Sequence, residues 1–140
     1  MGIRKAQSTD WPAITALLEQ LDYPGTGKFL AAKIERLLAH PDEELLVYEI
    51  EGEVVACISL HFIPQLALAG DFARISYFSV DASVRGEGIG RAMEEYATNL
   101  ADQRGCDRLE VHCHIRRTDA HRFYFRQGFT ESPKYLTKKL

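Results

Sequence analysis

Hydrophobic and polar positions alternate along this chain with two periods, and each period predicts one kind of secondary structure. Apolar residues three to four positions apart predict amphipathic helices over about 10–21, 28–39, 90–104 and 120–127. Two-residue alternation and short apolar runs predict strands at Ile3–Ala6, Leu45–Ile50, Val54–Phe62, Arg74–Val80 and Arg108–Ile115. Ser8, Thr9, Asp10 and Asp119 are predicted helix caps, and residues 129–140 can hold one or two final strands.

The order of these elements predicts the fold class. A tight turn at Glu51-Gly52 joins two strands into a predicted antiparallel hairpin. A helix separates Arg74–Val80 from Arg108–Ile115, which predicts a parallel pair, because parallel strands need a long crossover. Together these elements indicate one α/β domain over residues 1–140, with a mixed, mostly antiparallel sheet and helices on both faces.

Composition and charge exclude several classes of function. The net charge of −3 argues against binding nucleic-acid backbones as the main task, because such proteins are usually basic. Three cysteines without C-x-x-C spacing argue against a disulfide scaffold and favour a reducing compartment. No apolar run has membrane-spanning length, and the start of the chain lacks the apolar region of a signal peptide. We therefore expect a cytoplasmic protein.

One glycine-rich segment, Val80–Met93, joins the end of a predicted strand to a long predicted helix. Gly86, Gly88 and Gly90 allow a tight turn and the close approach of a ligand, and the first N–H groups of a helix favour negative charge. The turn therefore predicts a phosphate site. It is not a Walker A loop, since no lysine and hydroxyl pair follows Gly90, and its spacing differs from the G-x-G-x-x-G dinucleotide fingerprint.

Two motifs, in a fixed order, carry a family resemblance. The first is Arg85-Gly86-Glu87-Gly88-Ile89-Gly90, which fits the pattern R-x-x-G-x-G. The second is Ala120-His121-Arg122-Phe123-Tyr124-Phe125-Arg126-Gln127-Gly128-Phe129, which fits A-x-x-F-Y-x-x-x-G-F. A predicted helix and a predicted strand separate them. With both motifs and this element order, the chain resembles the GNAT superfamily of acyl-CoA N-acyltransferases over nearly its whole length.

The resemblance implies a coenzyme A site, with acetyl-CoA as co-substrate, between two splayed parallel strands at the centre of the sheet. It assigns the pyrophosphate to backbone N–H groups of these residues: Arg85, Gly86, Glu87, Gly88, Ile89, Gly90 and Arg91. It pairs the pantetheine arm with the backbone of Phe78, Ser79 and Val80, and it directs the Phe78 N–H at the acetyl carbonyl. Tyr124 would contact the thioester sulfur and protonate the leaving thiolate while an amine attacks directly. Arg122 and Arg126 are candidates for the nucleotide phosphates.

Two departures from the family pattern leave the general base open. Arg117 stands where many relatives have asparagine, and residues 74–78 hold no carboxylate where many relatives have glutamate. His112 or Glu110 is the predicted base, directly or through water, because Glu110, His112 and His114 share one face of a predicted strand. The alternatives are that these side chains only contact helices or solvent, and that Ser76, Tyr77 and backbone groups act through water.

His112 and His114 also have the spacing of a metal-binding pair. A third ligand is not evident, since His61 reaches the pair only if its strand lies next to theirs. No metal site is therefore predicted.

The sequence thus predicts an N-acetyltransferase that moves an acetyl group from acetyl-CoA to an amine. A non-catalytic acyl-CoA-binding regulatory module is the alternative that the missing carboxylate favours, and an interaction domain without a ligand is a third. The acceptor stays open among small amines, aminoglycosides, amino acids, polyamines and protein amines. Family analogy sets Tyr23, Phe29 and the loop Gln65–Asp71 beside the acceptor cleft and favours a homodimer through the final strands.

Overall fold

The helices and strands follow the predicted order. The computed structural model describes residues 2–113, 117–131 and 136–140. Its strands and longer helices are β1 Gly2–Lys5, α1 Trp11–Gln20, α2 Leu30–Leu38, β2 Glu43–Ile50, β3 Glu53–Ile63, β4 Phe72–Val80, α3 Ile89–Gln103, β5 Arg108–Val111 and α4 Thr118–Arg126. Single-turn 3-10 helices lie at Ser8–Asp10, Thr26–Lys28 and Ala82–Val84. No helix in the described ranges has the length and apolar character needed to cross a membrane.

The five strands form one sheet in the order β1-β2-β3-β4-β5. The first four strands pair antiparallel, and β5 lies parallel to β4. Glu51 and Gly52, at the hairpin turn, have φ values of 49° and 81°, as a two-residue turn between twisted strands requires. The predicted mixed, mostly antiparallel sheet is confirmed. The parallel pair, expected at its centre, lies at one edge of the described sheet, because no further strand in the described ranges pairs with β5.

Two apolar cores form because helices cover both faces of the sheet. On one face, Leu17 of α1 and Ile34 of α2 pack with Val47 and Cys57. On the other face, α3 packs on β3, β4 and β5. The buried residues of this core are Leu46, Ala56, Ile58, Leu60, Phe62, Ala73, Ile75, Ile89, Met93, Ala97 and Ala101. Full burial of one such large side chain contributes roughly 1.5–3 kcal/mol. These cores hold β4 and α3 rigidly on either side of the glycine turn.

The predicted caps take other roles. Asp10 makes no side-chain cap for α1. Its carboxylate accepts hydrogen bonds from Arg4 Nη1 at 2.9 Å and from the backbone N of Gln7 at 2.7 Å. Asp119 does not precede α4, which begins one residue earlier, at Thr118. Asp119 therefore lies in the first helical turn, where a negative charge is favourable, and it pairs with Arg122.

After β4, the described residues contain less strand than the sequence predicts. β5 ends at Val111 in the described residues, and the predicted strand positions His114 and Ile115 lie outside them. Residues 129–131 and 136–140 form no strand, and residues 132–135 lie outside the described part. The β4–β5 pairing stops at Ile75 and Val111, directly before a bulge at Ser76. Because a bulge bends its strand, β4 leaves β5 at this point.

Candidate active site

A large cavity opens where β4 and β5 separate. Its volume is about 1420 Å³, and it lies between the end of β4, the start of α3 and one side of α4. Sequence-predicted site residues that line it are Phe78, Ser79, Val80, Arg85, Gly86, Gly88, Ile89, Gly90, Arg91 and Tyr124. Glu87 is exposed and does not line the cavity. His112 and Glu110 are also not among the residues that line it.

The glycine turn has the backbone geometry of an anion cradle. Gly86 and Gly88 have φ values of 86° and 84°, in the left-handed region that favours glycine. α3 begins directly afterwards, at Ile89, so its first N–H groups lie at the cavity wall without intrahelical partners. A Cβ atom at Gly90 would lie 3.4 Å from the Phe123 ring, which shows how closely α3 approaches α4.

Two arginines flank the turn, and each is held by a neighbour. Arg85 Nε donates to Val80 O at 3.1 Å, which fixes the turn to the end of β4. Arg91 Nε donates to Glu95 Oε1 at 2.9 Å, one helical turn further along α3. Both contacts are exposed, so each contributes little stability, and either guanidinium group can turn toward a bound anion.

The arginines of the second motif separate into two groups. Arg117 and Arg126 line the cavity, whereas Arg122 does not and pairs with Asp119. Of the two predicted phosphate contacts, the structure therefore brings only Arg126 to the cavity.

β4 presents an open backbone edge to the cavity. The backbone N of Asp81 donates to Val55 O at 2.8 Å. Backbone groups alternate in direction along a strand, so every second residue counted back from Asp81 directs its N–H and C=O groups at β3. Phe78 and Val80 are the alternate residues, and their N–H groups therefore point toward the side of β5. Described pairing with β5 has already ended at Ile75. The edge can accept an extended ligand as an added strand.

Tyr124 lies at the inner end of the cavity with 9% of its surface exposed. Its ring packs edge-to-face against Phe123 and Phe129, each at a centroid distance of 5.3 Å. Burial raises the pKa of the phenol; Cys113 adds to the rise, and the positive charge of Arg117 opposes it. Tyr124 is therefore a protonated hydrogen-bond donor at neutral pH, although it also has a clear packing role.

Sequence reasoning missed the polar side of α3. Glu94 lines the cavity, is 4% exposed and accepts a 2.8 Å hydrogen bond from Thr98 Oγ1. Desolvation raises the pKa of its carboxyl group. The available signal was an acidic residue beside Met93 and Ala97 in the apolar stripe of the helix. Gln20, at the end of α1, was also missed; it lines the cavity and accepts a 3.0 Å hydrogen bond from Ala82 N.

The two predicted bases lie close together at the end of β5, with Glu110 in the strand and His112 one residue beyond it. His112 Nε2 lies 3.9 Å from Glu110 Oε1. Glu110 also accepts hydrogen bonds from Arg74 Nε at 2.8 Å and Nη2 at 2.5 Å, and its second oxygen lies 3.3 Å from Arg108 Nε. Two guanidinium groups therefore already contact both oxygens of the Glu110 carboxylate.

A second polar group lies on the same sheet face, on β2, β3 and β4. His61 Nε2 lies 2.5 Å from Ser76 Oγ, and His61 Nδ1 contacts Glu43 Oε2. β4 separates β3 from β5, so His61 is not on a strand adjacent to His112. In the described ranges, no group of three or more His, Cys, Asp or Glu residues is arranged to hold a metal ion. His114 lies outside those ranges.

The predicted acceptor flank combines aromatic residues with a polar loop. The Tyr23 ring packs edge-to-face on Tyr77 at 5.3 Å, and Phe29 is half exposed. In the loop after β3, Gln65 Nε2 donates to Gly70 O at 2.6 Å, and Gly70 N donates to Asp107 at 2.9 Å. Tyr23 and Tyr77 therefore lie beside the Ser76 end of the second polar group.

Comparison with known proteins gives consistent results. Residues 6–129 match the model of the acetyltransferase (GNAT) family. An aminoalkylphosphonate N-acetyltransferase of Salmonella typhimurium is 33% identical over 99% of this chain and 90% of its own length. An amino-acid acetyltransferase of Mycobacterium tuberculosis is 31% identical over 92% of this chain and 68% of its own length. A solved structure described as a transcriptional regulator from Bacillus halodurans superposes with a TM-score of 0.90 at 24% identity, covering 99% of this chain and 98% of that one. At that identity the structural match shows the fold alone.

Proposed function

This chain is an acyltransferase of the GNAT family, and from that premise we propose that it transfers an acetyl group from acetyl-CoA to a small primary amine by direct attack. GNAT acetyltransferases use acyl-CoA co-substrates and amine acceptors; acetyl as the acyl group and the direct mechanism are the proposal.

The observation that carries the proposal is the continuous backbone path from β4 into the glycine turn. The open edge at Phe78 and Val80 leads directly to the left-handed residues Gly86 and Gly88. Such a path suits a ligand with an extended amide-containing arm and a diphosphate at one end, because the arm can pair like a strand. The diphosphate would then meet the start of α3.

Two groups would act on the thioester at the inner end of this path. The Phe78 N–H would donate to the carbonyl oxygen as negative charge develops there, and loss of one such donor typically costs about 100- to 1000-fold in rate. The amine nitrogen forms a bond to the carbonyl carbon while the C–S bond breaks and sulfur takes the electron pair. Tyr124 would donate its phenolic hydrogen to that sulfur, with Arg117 lowering the cost of the phenolate. The phenolate would regain a proton from solvent after coenzyme A leaves as the thiol.

Direct attack is also supported by the state of the thiols. Burial raises the pKa of Cys57 to about 12. Burial likewise raises the pKa of Cys106 and of Cys113. All three are therefore protonated at neutral pH, and a protonated thiol is a poor nucleophile. A covalent acetyl-cysteine is accordingly not part of the proposed reaction.

We infer that the acceptor is a small amine that carries an acidic group. Two relatives are named for acceptors of this kind, aminoalkylphosphonates and amino acids. On the face that carries the predicted acceptor flank, the guanidinium groups of Arg74 and Arg108 lie 5.5 Å and 5.2 Å from the Phe72 ring centroid. Their positive charge suits a phosphonate or carboxylate better than a polyamine.

The test is release of free coenzyme A thiol from acetyl-CoA in the presence of single amines. The panel contains aminoalkylphosphonates, amino acids, a polyamine, an aminoglycoside and a peptide with a free N-terminus. Turnover with the first two groups alone supports the proposal. Tight binding of acetyl-CoA in calorimetry without turnover on any amine would instead support the non-catalytic alternative.

The base predicted at His112 or Glu110 stays a prediction. Glu110 is already in contact with two arginines, which argues against it as the base. The Ser76–His61–Glu43 group, in contrast, has the order of donors and acceptors that proton removal requires.

A further inference from the structure

Three side chains from three adjacent strands form a connected chain on the sheet face that carries α1 and α2. Glu43 of β2 is directly opposite His61 of β3 in the sheet register. The carboxylate oxygen Glu43 Oε2 contacts His61 Nδ1, and the other ring nitrogen, Nε2, lies 2.5 Å from Ser76 Oγ of β4. The order is carboxylate, imidazole, hydroxyl, and this is the order in which a hydroxyl group becomes a proton acceptor.

The bulge in β4 sets the position of the hydroxyl. Ser59 is opposite Tyr77 and Leu60 is opposite Ile75, so Ser76 is the extra residue. Two consecutive side chains therefore project on the same face: Ser76 meets His61, and Tyr77 meets Tyr23. Ser76 thus lies where β4 leaves β5, two residues before Phe78. At about 3.3 Å per residue, the separation along the strand is about 7 Å.

The carboxylate fixes which ring nitrogen carries the proton. Glu43 Oε2 is buried and has no hydrogen-bond partner in the described residues besides its contact with His61. A buried carboxylate oxygen needs a donor, so Nδ1 carries the hydrogen, and Nε2 is left to accept one from Ser76. The other acceptor within reach of the Ser76 hydroxyl, Ser59 O, is more distant at 3.4 Å.

The remaining charges around His61 do not compete for this role. Arg74 is opposite His61 in the register of β3 and β4. Its guanidinium donates two hydrogen bonds to Glu110 Oε1 of β5. In the described residues, the His61 ring makes polar contacts with Glu43 of β2 and Ser76 of β4.

We propose that Ser76, His61 and Glu43 remove the proton of the acceptor amine, with Ser76 Oγ contacting the amine directly. This inference rests on the proposed acetyltransferase function and deepens it. The amine N–H proton passes to Ser76 Oγ while the Ser76 hydrogen passes to His61 Nε2, and Glu43 stabilises the imidazolium that results. Ser76 ends the step as a hydroxyl, so no acetyl-serine forms. The imidazolium returns its proton to solvent after the product leaves.

The test compares His61→Ala, Glu43→Gln and Ser76→Ala with a matched control, Glu44→Gln. Glu44 is the next residue of β2, points to the opposite face and pairs with Lys5 at 3.7 Å. We expect His61→Ala to lower kcat at least about 100-fold, the lower end for loss of a general base, with unchanged affinity for acetyl-CoA. Glu43→Gln should lower kcat about 10-fold, because the imidazolium that forms in the step loses its carboxylate partner.

The decisive readout is rescue by added imidazole, which a purely structural histidine does not permit. Imidazole should restore kcat of His61→Ala in proportion to its free-base concentration and leave Glu44→Gln unaffected. His61→Asn, with thermal unfolding of each variant, separates loss of folding from loss of chemistry. Wild-type kcat in both His61 variants, absence of rescue in folded variants, or a mass increase of one acetyl group on Ser76 would each overturn the relay. A wild-type protein without turnover on every amine would instead overturn the proposed function.

Discussion

Thr98 donates a 2.8 Å hydrogen bond to Glu94 inside the cavity proposed for the coenzyme. Glu94 is 4% exposed, and burial raises the pKa of its carboxyl group above the ordinary value of 4.5. A group with a raised folded pKa stabilises the fold most below its unfolded pKa. That contribution is lost as the pH rises through the folded value.

We therefore expect Glu94→Gln to stabilise the protein in neutral solution. The amide still accepts from Thr98 and never carries the buried charge. Its advantage in melting temperature over the wild type should grow as the pH rises from about 4 to about 8, as linkage requires. Glu53→Gln, at an exposed position, is the control and should show no such trend. An equal melting temperature for Glu94→Gln and the wild type at all pH values would show that burial of the ionised Glu94 carboxylate does not destabilise the protein.

Gly88→Ala tests the glycine turn against a matched position. Gly88 and Gly52 have φ values of 84° and 81°, and neither has an atom within 4 Å of an added Cβ. Alanine at either position should therefore cost about 1–2 kcal/mol of stability through backbone strain alone. Only Gly88→Ala should also weaken coenzyme A binding, by about tenfold or more, which calorimetry measures. Equal coenzyme affinity in the two variants would remove the turn from the binding site.

Tyr124→Phe separates chemistry from packing. Phenylalanine keeps the edge-to-face contacts with Phe123 and Phe129 at 5.3 Å and removes only the hydroxyl group. We expect kcat to fall about 10- to 100-fold, in the lower range for loss of a general acid. The affinity for acetyl-CoA should change by no more than about twofold. Tyr96→Phe makes the same change at an exposed position on α3 and should leave kcat unchanged. An unaltered kcat in Tyr124→Phe would show that Tyr124 has a packing role and does not act as the general acid.

Asp10→Asn tests the link between β1 and α1. The Arg4 guanidinium holds the pKa of the Asp10 carboxyl group below its usual value. The stabilisation is therefore present above the unfolded pKa and is lost as the pH falls through the folded value. We expect Asp10→Asn to lower the free energy of unfolding by roughly 1–3 kcal/mol at neutral pH and by less in acid. Asp102→Asn, at an exposed position, should change it by no more than about 0.5 kcal/mol.

Local patterns predicted the parts of the fold and site that depend on neighbours in the chain. The strand–turn–helix around Gly88 follows from glycine spacing and helical periodicity, and the parallel β4–β5 pair follows from the crossover. The Ser76 bulge was not predictable, because it depends on register between two strands. His61 and Glu43 were missed as partners of Ser76 for the same reason. The His61–Ser76 contact spans 15 residues and the Glu43–His61 contact spans 18, and both exist only once β2, β3 and β4 are side by side.

The most direct test of the account is coenzyme A thiol release by the wild-type protein with acetyl-CoA and a single aminoalkylphosphonate or amino acid. We predict steady release of one thiol per acetylated amine, saturable in both substrates, with Tyr124→Phe strongly reduced and Tyr96→Phe unchanged. Absence of amine-dependent thiol release across the whole panel, from folded protein that still binds acetyl-CoA, would contradict the account.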